Sequence, residues 1–187
     1  VGAADYTFTS GNWDSAQTVT LTGVNDDVDD GDINTTVTVT VVDASSDNNF
    51  DALADQTVTV TTTDNDTVGF TKSQTTRTVT EAAGAGNTAT FTLVLDAEPA
   101  SDVVLNVVSA DTGEVTVGSA NYTFTNGNWD TPQTVTLTGV NDAIVDTDTQ
   151  TNVTISVTDA SSDDNFDALA DQTVTVTTTD NETAAFT

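Results

Sequence analysis

Carboxylates are the side chains in this sequence with chemistry to offer, and they recur in register. Thirty Asp and Glu stand against only Lys72 and Arg77, for a formal net charge of -28. The run Asn25-Asp26-Asp27 with Asp30 reappears as Asn141-Asp142-Ala143 with Asp146, and Asp64-Asn65-Asp66 reappears as Asp180-Asn181-Glu182. Acids clustered this way, with almost no local counter-charge, must repel, stay hydrated or hold cations. Calcium fits such a set, since it takes about six to eight oxygen ligands from carboxylates, carbonyls and water. The bland alternative is that loop Asp residues only keep turns solvated.

Missing residue types exclude other chemistries. There is no His and no Cys, so Ser-His-Asp and Cys-His devices cannot be built. The lack of Cys also rules out disulfides and leaves the redox compartment unread. Two carboxylates can hydrolyse a glycoside, but acidic pairs in the turns of a repeated unit are poor candidates, and we expect no enzyme. An EF-hand fails because Val28 stands where Asp or Asn is needed, and Thr147 replaces Gly31 in the second copy. A charge this lopsided argues against nucleic acid and anionic lipid as partners. It is also what a halophilic surface looks like.

The elements that position these acids come from a repeat. Val1–Thr71 aligns without a gap to Val117–Thr187, with roughly three-quarters of positions identical. Tyr6–Asp14 matches Tyr122–Asp130, Gln17–Asp26 matches Gln133–Asp142, and Asn49–Asn65 matches Asn165–Asn181. The acidic closures frame the units: residues 1–66 read as the C-terminal part of one repeat, 67–182 as a complete repeat, and 183–187 as the start of the next. The chain opens mid-pattern at Val1-Gly2, as a piece of a longer array would. No Gly/Ser-rich or Pro-rich linker separates the units, so the join is expected to be short and stiff.

Inside the complete unit, Val, Leu, Ile and Phe alternate with Thr, the pattern of sheets with one buried and one wet face. The alternation predicts strands at Val68–Lys72 with Thr76–Thr80, Thr88–Asp96, Asp102–Val108, Glu114–Val117, Tyr122–Thr125, Gln133–Val140, Asn152–Thr158 and Thr173–Thr179. Turn residues separate them: Gly84-Ala85-Gly86, Glu98-Pro99, Asn126-Gly127 and Gly139. The fold class read from this is all-β: tandem Greek-key, Ig-like two-sheet sandwiches of about seven strands each. Asp159–Asp171 is the long loop, with one helical turn expected in its second half. Tyr6, Tyr122 and the Phe residues are expected in the core, and Trp13 and Trp129 over hairpin ends rather than as sugar platforms.

The complete unit resembles a Calx-beta domain. The residues that carry the resemblance are Gly69-Phe70, Val79-Thr80-Glu81, Gly118-Ser119-Ala120-Asn121-Tyr122 (Gly2-Ala3-Ala4-Asp5-Tyr6 in the first copy), the acidic loops and the closing acidic runs. The resemblance implies a calcium site at one pole of each sandwich. In the complete unit it implies Glu81, Asn121, Asp142, Asp146, Asp180 and Glu182 as ligands, with Asp148 outside them. In the preceding unit it implies Asp5, Asp26, Asp27, Asp30, Asp64 and Asp66, with Asp32 outside.

Near-identical tandem copies point to a structural role. The expected protein is an extracellular, cell-surface spacer of a long adhesin or fibre, stiffened by Ca²⁺ between repeats. Its partners would be neighbouring repeats of the same chain and, through sheet edges, other copies assembled laterally. Nucleic acid is not an expected partner, nor is membrane insertion, since no apolar run approaches the roughly 18 residues a span needs. The rival reading is an adhesin module that binds glycan or a host protein. A regulatory calcium sensor is less favoured, because sensors tend to diversify their sites. Five N-x-Thr or N-x-Ser sequons and Lys72, in an isopeptide bond, are further sites to consider, each with solvated side chains as the simpler reading.

Overall fold

Residues 5–82, 84 and 86–184 are described by a computed structural model. Gly2-Ala3-Ala4, Ala85 and the last three residues of 183–187 lie outside them. The chain divides into two compact units. One comprises the residues up to Asp26 with Asp30–Asp64, and the other Asp27–Asp29 with the residues from Asn65 onward.

In the first unit the described strands are β1 (Ile33–Val39) and β2 (Gln56–Thr62), paired antiparallel with Val37 opposite Val58. A 3-10 turn at Asp43–Ser45 lies between them. The second unit is a two-sheet sandwich. Its strands are β3 (Phe70–Lys72), β4 (Thr76–Thr80), β5 (Thr88–Leu95), β6 (Val103–Ser109), β7 (Val115–Val117), β8 (Asn121–Phe124), β9 (Gln133–Gly139), β10 (Thr149–Val157) and β11 (Gln172–Thr179). One sheet runs β4-β11-β10-β6-β8 and the other β3-β5-β9-β7. Strands consecutive in sequence, such as β5 and β6, β8 and β9, or β9 and β10, lie in opposite sheets, which is Greek-key connectivity.

Nine segments serve as seven courses because two strands change sheets midway. β3 pairs with β5 in one sheet, and four residues later β4 pairs with β11 in the other. Ser73 holds the break: its N–H donates to the Thr92 carbonyl and its hydroxyl accepts from the Thr92 N–H at 2.8 Å. β7 and β8 divide in the same way across Gly118–Ala120.

Alternation dictates the core. Along β5, Phe91, Leu93 and Leu95 are buried, while the Thr residues between them face outward. β6, β9, β10 and β11 repeat the pattern with Val103, Leu105, Val107, Val135, Leu137, Val153, Ile155, Val174 and Val176. Each such side chain contributes about 1.5–3 kcal/mol by leaving water. Phe166 closes one end of the core from the long loop, held by successive 3-10-type bonds (Phe166 N–H to Asp163 carbonyl, Leu169 N–H to Phe166 carbonyl). The buried Asp163 carboxylate is satisfied by the N–H groups of Ser101 and Asn165, both at 3.0 Å. The regular helical element of this loop is a 3-10 turn at Asp159–Ser161, in its first half.

The core expectation fails in the first copy. Tyr122 and Phe124 are buried, but Tyr6 is 40% exposed and Phe8 and Phe50 are each 55% exposed. The physical reason is that no strands equivalent to β3–β6 lie over these residues among the described part of that unit.

Candidate metal centre

Parallel pairing of the first and last strands of the large sheet builds an acidic pole. β4 and β11 run side by side and end together, with Thr80 opposite Thr179. The next residue on each strand is an acid: Glu81 after Thr80 and Asp180 after Thr179, joined by a bond from the Glu81 N–H to the Thr179 carbonyl at 3.3 Å. Glu182 follows two residues on. Carboxylate oxygens of Glu81, Asp180 and Glu182 all lie within 4.8 Å of one another, and Glu81 is only 2% exposed.

Neighbouring residues fix this geometry. The Asn87 amide donates to the carbonyls of Thr80 (3.0 Å) and Gly139 (2.9 Å), tying the end of β9 to the end of β4. Gly139 must lack a side chain, since a Cβ there would overlap the Thr80 carbonyl. Asp180 accepts from the N–H groups of Glu182 (2.7 Å) and Thr147 (2.9 Å), and its own N–H donates to Asp148. The same brace exists in the first unit, where Gly31 N–H donates to Asp64 Oδ2 and Asp64 N–H to Asp32 Oδ1. Gly31 has φ +75° and Thr147 φ +70°. A β-branched residue in this left-handed region is strained by roughly 1–2 kcal/mol. Thr147→Gly is therefore expected to stabilise the second unit by about 1 kcal/mol in urea unfolding, and an unchanged midpoint would sink that account.

The electrostatics are those of acids short of a counter-charge. Burial pushes the Glu182 carboxyl up to about 7, aided by its hydrogen bonds and repulsion with Glu81 and Asp180. Burial also raises Glu81, with the hydrogen bond to Glu182 opposing and Asp142, Asp146 and Asp180 adding repulsion. Backbone N–H donors, those of Glu182 and Thr147 foremost, hold Asp180 below the usual carboxylate range. The Asn181 amide, turned to satisfy both its ends, donates to Glu81 (3.1 Å) and Glu182 (2.9 Å). Neither base is placed to help. Lys72 donates to Gln172 Oε1 at 3.1 Å and Arg77 lies near the start of β4. Glu81 and Glu182 face each other at a distance that calls for a shared proton or a cation, and oxygen-only donors suit a hard ion such as Ca²⁺.

The remaining expected ligands fall into three groups. Asp142 and Asp146 sit on the loop after β9, near enough to raise Glu81 electrostatically, with Asp142 Oδ1 accepting the Ile144 N–H at 2.7 Å. Asn121 stands apart. It pairs with Asn106, which is level with Ser156, about 20 Å along β10 from the pole at the usual strand rise. Its Oδ1 accepts from the Asn106 amide, which accounts for it without a metal. Asp5, Asp26, Asp30 and Asp64 lie in the first unit, whereas Asp27 and Asp66 group with the second. In the second unit the Asp27 carbonyl accepts the Glu98 N–H at 2.7 Å. Among the described residues, these first-copy acids do not close into a cluster like that of Glu81.

One residue escaped the sequence reading. Glu114 is 8% exposed, its carbonyl is held by the N–H of Val140, and its Oε2 has no hydrogen-bond partner. Burial raises its carboxyl, with repulsion from Asp146, Asp111 and Asp142. It therefore borders the same pole. Repetition gave no signal for it, because Glu114 lies ahead of the aligned stretch Val117–Thr187.

No protein-family model and no curated protein matches the chain, so the Calx-beta resemblance rests on its residues alone. Among solved structures, the chain is similar to domains 4 and 5 of the S-layer protein SbsC (22% identity, 68% of this chain, 53% of that chain, TM-score 0.40). It is also similar to the periplasmic chaperone SfaE (8% identity, 61% of this chain, 59% of that chain, TM-score 0.44). The E. coli chaperone DraB is similar at 6% identity (62% of this chain, 57% of that chain, TM-score 0.44). The chain thus spans little more than half the length of these structures. With TM-scores of this size, none of them bears on what the chain does. No helix among the described residues is long and apolar enough to cross a membrane.

Proposed function

We propose that this chain is part of a non-enzymatic, extracellular structural array, a spacer of a surface adhesin or fibre, and that Ca²⁺ at the acidic pole stiffens it. The observation that supports this most is the parallel β4–β11 pairing, which sets a buried Glu81 beside Asp180 and Glu182 with no base among them. The same run, Asp180-Asn181-Glu182, leads in sequence into the next repeat. A cation held by Glu81, Asp180 and Glu182, with Asp142 and Asp146 as outer donors, would cancel their repulsion and fix the chain where one repeat passes to the next. Near-identical copies suit a spacer, in which each repeat does the same mechanical work. At a hundred times its dissociation constant, a bound ion would add ~2.7 kcal/mol to the folded state.

The test is thermal unfolding of the chain with millimolar calcium against chelator at matched ionic strength. A calcium-specific rise of several degrees, lost in Glu81→Gln, is the expected result. An equal rise with sodium would sink the site and leave charge screening of a halophilic surface as the account.

A further inference from the structure

Asn126-Gly127 is the one place in the sequence where Gly follows Asn. It lies in the turn that carries the chain from β8 in one sheet to β9 in the other, and both residues are exposed. A clamp holds the ends of this turn. Asn128 Oδ1 accepts from the Thr125 N–H (2.6 Å) and the Thr125 hydroxyl (3.2 Å), and the Asn128 N–H donates to the Thr125 carbonyl (3.1 Å). The Gly127 N–H donates to Thr125 Oγ1 at 3.2 Å. Asn126 stands outside the clamp, and among the described residues its side-chain amide has no hydrogen-bond partner. The equivalent turn of the first unit is built the same way. Asn12 Oδ1 accepts from the N–H and hydroxyl of Thr9, and the Gly11 N–H donates to Thr9 Oγ1 (3.3 Å). There Ser10 takes the place of Asn126. The turn therefore closes without an amide at this position, and the Asn126 amide is left free to react.

We propose that Asn126 is a site of spontaneous deamidation, which rebuilds the β8–β9 turn as the folded chain ages. The Gly127 nitrogen, its proton lost to hydroxide, attacks Asn126 Cγ. An N–Cγ bond forms, the Cγ–Nδ2 bond breaks, and Nδ2 leaves as ammonia, giving a five-membered succinimide. Water then opens the ring at one of its two carbonyls. Opening at Cγ leaves an ordinary aspartate. Opening at the backbone carbonyl carbon leaves isoaspartate, in which the main chain runs through the former side chain. One water is taken up, one ammonia is released, and nothing is oxidised or reduced. Gly127 favours the attack because no side chain shields its nitrogen. A Cβ there would meet only Thr125 Oγ1, at 3.8 Å, so the space around it is open.

The product bears on the packing beside it. Isoaspartate inserts one methylene into the main chain between Thr125 and Asn128, so the clamp no longer closes. Trp129 follows directly; its carbonyl accepts the Leu95 N–H at 3.1 Å and its side chain packs against the core. Either product also adds a carboxylate to a chain already at -28. None of this depends on the cation reading.

The experiment incubates the full chain for weeks in mildly alkaline buffer, folded and in urea. Isoaspartate is measured by enzymatic methyl transfer from S-adenosylmethionine and located by peptide mapping. The folded chain is expected to accumulate isoaspartate at position 126 above every other Asn, faster as pH rises. Asn126→Ser, which copies the Ser10 turn and should fold, is expected to lose that signal, and Gly127→Ala to slow it several-fold. Trp129 emission, read in a Trp13→Phe background, is expected to shift to the red in step with the isoaspartate. An equal yield in Asn126→Ser overturns the proposal. So does isoaspartate at 126 in urea but not in the folded chain, because the turn would then protect Asn126.

Discussion

Phe124→Ala is expected to cost about 3–5 kcal/mol in urea unfolding of the second unit, and Phe8→Ala under about 0.5 kcal/mol. The two residues are the same position of the repeat, 116 apart in sequence. Phe124 has no exposed surface, and its strand β8 is laddered to β6. Removing its ring leaves a cavity between two sheets that are braced by β5 and β9 and cannot collapse freely. Phe8 is 55% exposed and has no sheet above it to lose. Unfolding is followed through Trp129 for the second unit and Trp13 for the first. Similar costs at both positions would mean that Phe8 is covered in solution.

That contrast marks the limit of what the sequence reveals. Val/Thr alternation reports which face of a strand is apolar, and it placed all nine strands of the second unit within a few residues. It carries no record of what lies opposite, so Tyr6 and Phe50 read as core although the strands that would cover them are not in place. β10 begins at Thr149, ahead of its apolar alternation, because Thr149–Thr151 is drawn into the ladder by Val176–Thr178. That is a tertiary effect without a local signal. The pole was partly legible. Asp142, Asp146, Asp180 and Glu182 stand out by repetition and Glu81 by the family-like Val79-Thr80-Glu81. Asn121 was misplaced because its neighbour Tyr122 belongs to the distant stretch of β8 beside Asn106. Glu114 is a lone acid at the edge of a strand, and only folding shows that it is buried beside other acids.

The acidic pole should make the chain respond to pH in a direction opposite to that of most carboxylates. In chelator, the midpoint of the second unit is expected to fall by several degrees as pH rises from about 4.5 to above about 7. Glu182 ordinarily titrates near 4.5 but is raised to about 7 in the fold. Across that window the folded chain keeps a proton that the unfolded chain has released, so stability declines as pH increases. The contribution is fully present below the lower value and lost above the upper one. Glu81, raised by the same burial, acts in the same sense, and Asp142 and Asp146 add repulsion as they face it. Asp180 has the opposite sign, because N–H donors lower it; its stabilisation is lost only as pH falls below its ordinary 3.8, outside the window. Glu182→Gln keeps a hydrogen-bond donor towards Glu81 at every pH and should remove most of the fall. Saturating calcium should flatten the wild-type profile, because the ion takes over the work of the proton. If wild type and Glu182→Gln decline in parallel in chelator, Glu81 and Glu182 do not share a proton. The same pair would then lack the unmet charge that makes it a place for a cation.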